Sequence, residues 1–298
     1  MNTKKLLIGF SLLVITAFSQ TSFAQGLNWE GQTGAVITPF AYTAGSPARK
    51  FGKPEVAFHY MNSGPVVGNA YQLSITEGVA KRFEFGYTGA FSSAGSSPLT
   101  PLFSNGFSEF HGKVTVLDEN ALKSKWVPAV AVGSIGRFGI QRVGSMGSSK
   151  GTTAKNGDFY IVATKTITQI KGLPIVLSFG DKLTSASLFG IAGNAVNGHG
   201  TENWQGRLFG AAAFVVKGPA KAALIFGSEF AQQPHYVDGL GTAATIPTTL
   251  TYFVRVVPHL EGSPVQVDLA IAQVAGKIAP GVDLQARARF AMGVSYHF

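Results

Sequence analysis

Arg82-Phe83-Glu84-Phe85-Gly86-Tyr87-Thr88 is the stretch whose reading decides the fold. Phe83, Phe85 and Tyr87 take every second position, and Arg82, Glu84, Gly86 and Thr88 the positions between. A period of two puts the aromatics on one face of a β-strand and the polar residues on the other, whereas a helix would scatter the aromatics around its circumference. The last residues of the chain repeat the pattern. Ala288, Phe290, Met292, Val294, Tyr296 and Phe298 share one face, and Arg287, Arg289, Ala291, Gly293, Ser295 and His297 the other.

Working outward, the same alternation, weaker in places, marks strands near 55–62, 70–79, 82–90, 109–117, 127–135, 157–168, 173–184, 206–216, 221–231, 248–258, 264–275 and 286–298. Short breaks such as Gly64-Pro65, Lys171-Gly172, Lys217-Gly218-Pro219 and Gly262-Ser263-Pro264 have the chemistry of tight turns. The longer connections, 92–108, 142–157, 185–205 and 232–247, are rich in Gly, Ser, Thr and Asn. About 12 strands, an even number, predict an all-β fold: a transmembrane antiparallel β-barrel with short turns at one end and long loops at the other.

Composition agrees. The 298 residues are 45% hydrophobic and only 13% charged, with 37 Gly and 23 Phe. A soluble domain carries about 25% charge. No apolar run in the body of the chain reaches the roughly 20 residues of a spanning helix. Abundant apolar residues without long apolar runs are what alternating lipid-facing and lumen-facing positions produce.

The N-terminus reads differently. Lys4 and Lys5 precede the apolar run from Leu6 to Phe18, and Phe23-Ala24-Gln25 offers a small residue for cleavage. This is the pattern of a secretory signal peptide over 1–24, leaving 25–298 as an outer-membrane barrel. Residues 26–53, with Pro39 and Pro47, fit no regular strand and are expected as a plug or an extra strand. Of the formal +9 charge, two units are Lys4 and Lys5, so +7 stays with the mature chain. The cations are spread along strands, which argues against a nucleic-acid partner. Cys is absent, which excludes disulfides and thiolate metal sites.

Several phrases resemble a proteobacterial family of outer-membrane β-barrels of unknown function, related in style to exopolysaccharide-associated barrels. They include Asn28-Trp29-Glu30-Gly31, Thr38-Pro39-Phe40-Ala41-Tyr42, Lys81 to Thr88, His111-Gly112-Lys113, Gln232-Gln233-Pro234 and Ile246 to Tyr252. The resemblance implies a barrel over most of the mature chain and supplies no catalytic residue.

Candidate chemistry is sparse. Ser295 and His297 share a face but stand about 7 Å apart on a pleated strand, too far for a direct hydrogen bond without side-chain reach. His199 and His235 lack a second His at metal-ligand spacing. Asp118-Glu119 suits a turn better than a paired-carboxylate site. The glycines of Gly133 to Gly139 do not follow dinucleotide-binding spacing. No catalytic residue, metal or cofactor is expected. The informative set is the charges predicted to point inward: Glu55, Arg82, Glu84, Lys113, Glu229, Arg255, Asp268, Arg287 and Arg289.

Such a lining suits a narrow channel, or an accessory to transport, for anionic or sugar-like solutes such as a polysaccharide. It equally suits ion pairs that fill a closed barrel. A lipid-modifying barrel enzyme and a structural or adhesive barrel are the alternatives. Outer-membrane lipid, lipopolysaccharide and the barrel-assembly machinery are the expected partners. Phe298, a terminal aromatic on the outward face, is the expected assembly signal.

Overall fold

The computed structural model describes residues 26–93, 95–96, 106–140, 155–170, 172–186, 190, 204–237, 243–258, 263–273 and 275–298. The signal segment, its cleavage point and His199 lie outside the described residues.

Two short strands, β1 (Gly26–Leu27) and β2 (Thr33–Gly34), come first. The wall begins with β3 (Glu55–Asn62), β4 (Asn69–Val79), β5 (Phe83–Ser93) and β6 (Gly106–Leu117). It continues with β7 (Ala129–Ile140), β8 (Lys155–Ile167), β9 (Ile175–Thr184), β10 (Gln205–Lys217) and β11 (Ala223–Ala231). A hairpin, β12 (His235–Val237) with β13 (Ala243–Thr245), leads to β14 (Thr249–Val257) and β15 (Val265–Gln273). A second hairpin, β16 (Ala275–Ala279) with β17 (Val282–Ala286), precedes β18 (Arg289–His297).

Twelve of these strands close into one antiparallel barrel, β18 pairing with β3 to complete the ring. All twelve coincide with stretches marked by alternation. The differences are at ends: β7 runs on to Ile140, and β18 starts at Arg289, so Arg287 lies before it. Arg82 likewise precedes β5 and belongs to the turn after β4.

Antiparallel order sorts the connections. Segments 80–82, 118–128, 168–174, 218–222 and 258–264 join strands at one end, which also receives residues 45–54 and Phe298. The other end is where β5 leads toward β6, β7 toward β8, β9 toward β10, β11 toward β14 and β15 toward β18, and it carries the hairpins β12–β13 and β16–β17 and the one-turn helix Gly64–Val67.

The outer face is aromatic and exposed. Phe83, Phe85 and Tyr87 on β5, Phe110, Phe159, Phe179 and Phe290 all stand outside. Neighbouring strands lock them together, as in the Tyr87–Phe110 contact at 5.1 Å and the stacked Phe214–Phe226 pair at 5.5 Å. A closed wall with paired backbone and an apolar exterior is a transmembrane barrel.

The inner face uses glycine differently. Tyr160 lies over its cross-strand neighbour Gly133, Phe209 over Gly180 and Phe253 over Gly227. A Cβ on Gly180 would sit 2.3 Å from the Phe209 ring. Glycine thus lets three large rings lie flat on the wall, leaving the middle of the lumen open for something else.

Candidate functional site

What occupies the middle is the chain's own residues 26–44. Every one of them is buried except Tyr42, which is half-buried. The segment folds first on itself. Asn28 Oδ1 accepts the Glu30 and Gln32 amides at 3.0 and 2.8 Å, an Asx turn completed by Gly31 at φ +78°. Trp29 N–H donates to the Val36 carbonyl and Phe40 N–H to the Thr33 carbonyl. Gly26 lies against Arg255 and Gln266, and Ala44 leads to 45–54, so both ends of the segment meet the short-turn end of the barrel.

Wall side chains then satisfy the coil's backbone. The Glu229 carboxylate accepts the amides of Val36, Ile37 and Thr38 at 3.0, 3.0 and 2.8 Å, and the Thr38 hydroxyl at 2.7 Å. Consecutive N–H groups converging on one anion form a backbone nest, here closed on a carboxylate from the wall. Glu84 accepts the amides of Thr33 and Ala44 at 3.1 and 2.7 Å, and pairs with Lys113 at 2.9 Å. Lys113 also donates to the Thr33 carbonyl at 3.1 Å. Arg255 grips Asp268 through two bonds of 2.7 and 2.9 Å and donates to the carbonyls of Gly34 and Ala35, both at 2.9 Å.

A second cluster ties a side chain of the segment to the wall. Arg137 donates to Glu30 of the segment, to Glu109 at 2.9 Å and to Asp158 at 2.8 Å. One guanidinium thus joins carboxylates from β6, β8 and the segment, all buried. Thr164 accepts the Ala41 amide at 2.8 Å, Thr115 donates to the Ala41 carbonyl at 2.8 Å, and Gln32 donates to the Tyr160 hydroxyl at 3.1 Å. Between segment and wall, beside Glu30, Gln32, Asp158, Tyr160 and Lys182, a void of about 10 Å³ remains. That is about the room one water needs.

The nine charges singled out in the sequence therefore divide. Glu55, Glu84, Lys113, Glu229, Arg255 and Asp268 are buried in the lumen. Arg82 stands half-exposed at the short-turn rim and pairs with Asp118 at 2.7 Å. Arg287 pairs with Asp283 at 2.8 Å on the long-loop side, where Arg289 donates to the Gln285 carbonyl. There the Gln285 amide, and then Arg287, hold the Asp283 carboxyl below its ordinary range. Glu109, Arg137, Asp158 and Lys182, not among the nine, join the buried ones from the inward faces of β6, β7, β8 and β9; strand parity alone points each inward, once β6 is read from Gly106 and β7 is carried on to Ile140.

The remaining candidates stay apart from this site. Ser295 is buried on the inward face of β18, His297 is half-buried near its end, and His235 is exposed in β12. Asp118 and Glu119 sit in the β6–β7 connection, each in an ion pair, with Arg82 and Lys165. Among the described residues no three His, Asp or Glu side chains are grouped as metal ligands. Phe298 stands outside, 55% exposed, edge-on to Tyr296 at 4.9 Å.

No protein-family model and no curated protein matches the chain. Solved structures similar to it are outer-membrane barrels. The KdgM porin in complex with disordered oligogalacturonate is 12% identical, with a TM-score of 0.46 over 82% of this chain and 99% of that one. The COG4313 outer membrane channel from Pseudomonas putida F1 is 9% identical, with a TM-score of 0.47 over 85% and 96%. The NanC porin is 8% identical, with a TM-score of 0.42 over 82% and 98%.

Proposed function

We propose that the mature chain, cut after Ala24, is an outer-membrane barrel that serves as a narrow channel, or an accessory to transport, for sugar-like solutes. In the described conformation residues 26–44 close it as a plug. The observation that carries the reading is the chemistry of the wall. Its inward rings lie flat on glycines, and its charged groups bind the segment's backbone instead of spanning the lumen. A wall exposed by withdrawal of the segment would offer carboxylates, cations and hydroxyls to water and to a polyhydroxylated solute. The wall cations Lys113, Arg137 and Arg255 are each already paired with wall carboxylates, so the reading rests on a sugar-like solute and not on an anionic one.

Liposome swelling tests this. Vesicles holding mature protein without residues 26–44 should admit a neutral disaccharide and a uronic-acid disaccharide much faster than vesicles holding the full mature chain. A purely structural barrel, which the filled lumen would also suit, predicts no swelling with either protein.

A further inference from the structure

We propose that the short-turn rim is a cationic ring that binds anionic phospholipid headgroups in the leaflet bordering that end of the barrel. Four turns at this rim each close by an i→i+3 hydrogen bond over a left-handed third residue. Arg82 N–H closes a turn on Val79 O, Ser124 N–H on Ala121 O, Ala222 N–H on Pro219 O and Lys50 N–H on Pro47 O. The third residue of each turn is basic: Lys81 at φ +58°, Lys123 at +59°, Lys221 at +65° and Arg49 at +65°. In the first three the second residue is also left-handed: Ala80, Leu122 and Ala220.

Turns with this backbone favour Asn-Gly or Asp-Gly, because a Cβ is disfavoured at positive φ. A fifth turn of this rim, Leu173 N–H on Ile170 O, does use glycine there, Gly172 at φ +80°; using Lys or Arg in the other four makes sense if the side chain is wanted. At the long-loop end, the described left-handed residues are Gly64, Gly68, Gly190, Gly281, Gln285 and Ala288, and none is basic.

The surroundings identify the partner. Lys53 and Lys125 stand exposed beside these turns. Of the described acids of this rim, Asp118 is engaged by Arg82 and Glu119 by Lys165, while Glu77 stands half-buried on the outer face of β4 beside the Lys81 turn. The basic turns join β4 to β5, β6 to β7 and β10 to β11; Arg49 lies beside the first, where Ala80 N–H donates to the Lys50 carbonyl, so three of the four sit along β3 to β7 and Lys221 stands across the barrel from them. A protein partner would need its complementary groups on one patch; an annulus of lipid meets them all. Large apolar side chains alternate with the cations: Trp126 is 75% exposed, Leu122 83% and Phe51 63%. Apolar and aromatic tips beside long cationic stems are the side-chain mixture of a membrane interface, where stems lie along acyl chains and ammonium groups reach phosphates.

The test is native mass spectrometry of the full mature protein in detergent, with equal amounts of phosphatidylglycerol and phosphatidylcholine bearing the same acyl chains. Wild type should retain phosphatidylglycerol preferentially. Joint Lys81→Gly, Lys123→Gly and Lys221→Gly substitution should cut that preference on the order of tenfold. Glycine suits these backbone angles, so the barrel should still form; Asn, which also tolerates them, supplies a second triple variant. Joint replacement by Arg should keep the preference. A wild-type protein indifferent to the two lipids, or triple variants with wild-type preference, would overturn the proposal. The readout involves no conduction, so it stands or falls separately from the transport reading.

Discussion

Residues 83–93 and residues 26–44 look alike over short stretches, yet one builds the wall and the other coils within it. Phe83-Glu84-Phe85 alternates apolar and polar, and so does Leu27-Asn28-Trp29-Glu30. In β5 the aromatics are half-exposed, Phe83 at 51% and Phe85 at 46%, while Leu27 and Trp29 are sealed at 0% and 1%. The difference lies in where each backbone finds its partners. β5 pairs along its length with β4 and β6. The coil has a two-residue ladder, β1 with β2, and otherwise relies on its own turns and on wall side chains far away in sequence. Alternation is therefore necessary for a membrane strand but does not specify one; an unbroken ladder completes the specification.

The largest expected effect is on the bond between the two regions. Replacing Arg137 by Met would leave Glu30, Glu109 and Asp158 buried without their shared cation, a loss of about 3–5 kcal/mol. Urea titration of the heat-modifiable form should show it. A variant as stable as wild type would mean that the cluster is hydrated and that Glu30 is not fastened there.

A smaller effect should come from the wall alone. Gly180→Ala places a methyl 2.3 Å from the Phe209 ring and 2.5 Å from the Ile161 carbonyl oxygen, so the ring must move toward the coil and the β8–β9 ladder must give as well. Overpacking of this kind costs about 1–3 kcal/mol. In a chain lacking residues 26–44 the ring has somewhere to go, and the same substitution should cost clearly less. Equal costs in the two backgrounds would show that coil and wall are packed independently.

How much of this was legible follows from the same contrast. Period-two alternation is a local signal, and it located all twelve wall strands, including the ends of β3 at Glu55 and Asn62. It also pointed Glu84, Lys113, Glu229, Arg255 and Asp268 inward. It could not say what they meet, because Arg255 reaches Gly34 across 221 positions and Glu229 reaches Val36 across 193. No local rule contains such a pairing. Arg82 and Arg287 matched the parity of an inward face but lie beyond the strand ends, where parity no longer fixes direction.

The smallest effect on stability, with a distinct effect on yield, concerns Phe298. It lies outside beside Tyr296, so deleting it should change the unfolding midpoint little. If the outward terminal aromatic is read during assembly, the deletion should still lower the amount of heat-modifiable protein several-fold, whereas His297→Ser should not. Equal yields from the three proteins would rule out an assembly signal at this terminus.

Single-channel recording in planar bilayers tests most directly whether residues 26–44, and not the wall, close the lumen. The full mature chain should show little or no conductance. The chain without residues 26–44, checked first for heat-modifiable mobility, should show steady open channels. Equal conductance from the two proteins would contradict a plug formed by this segment.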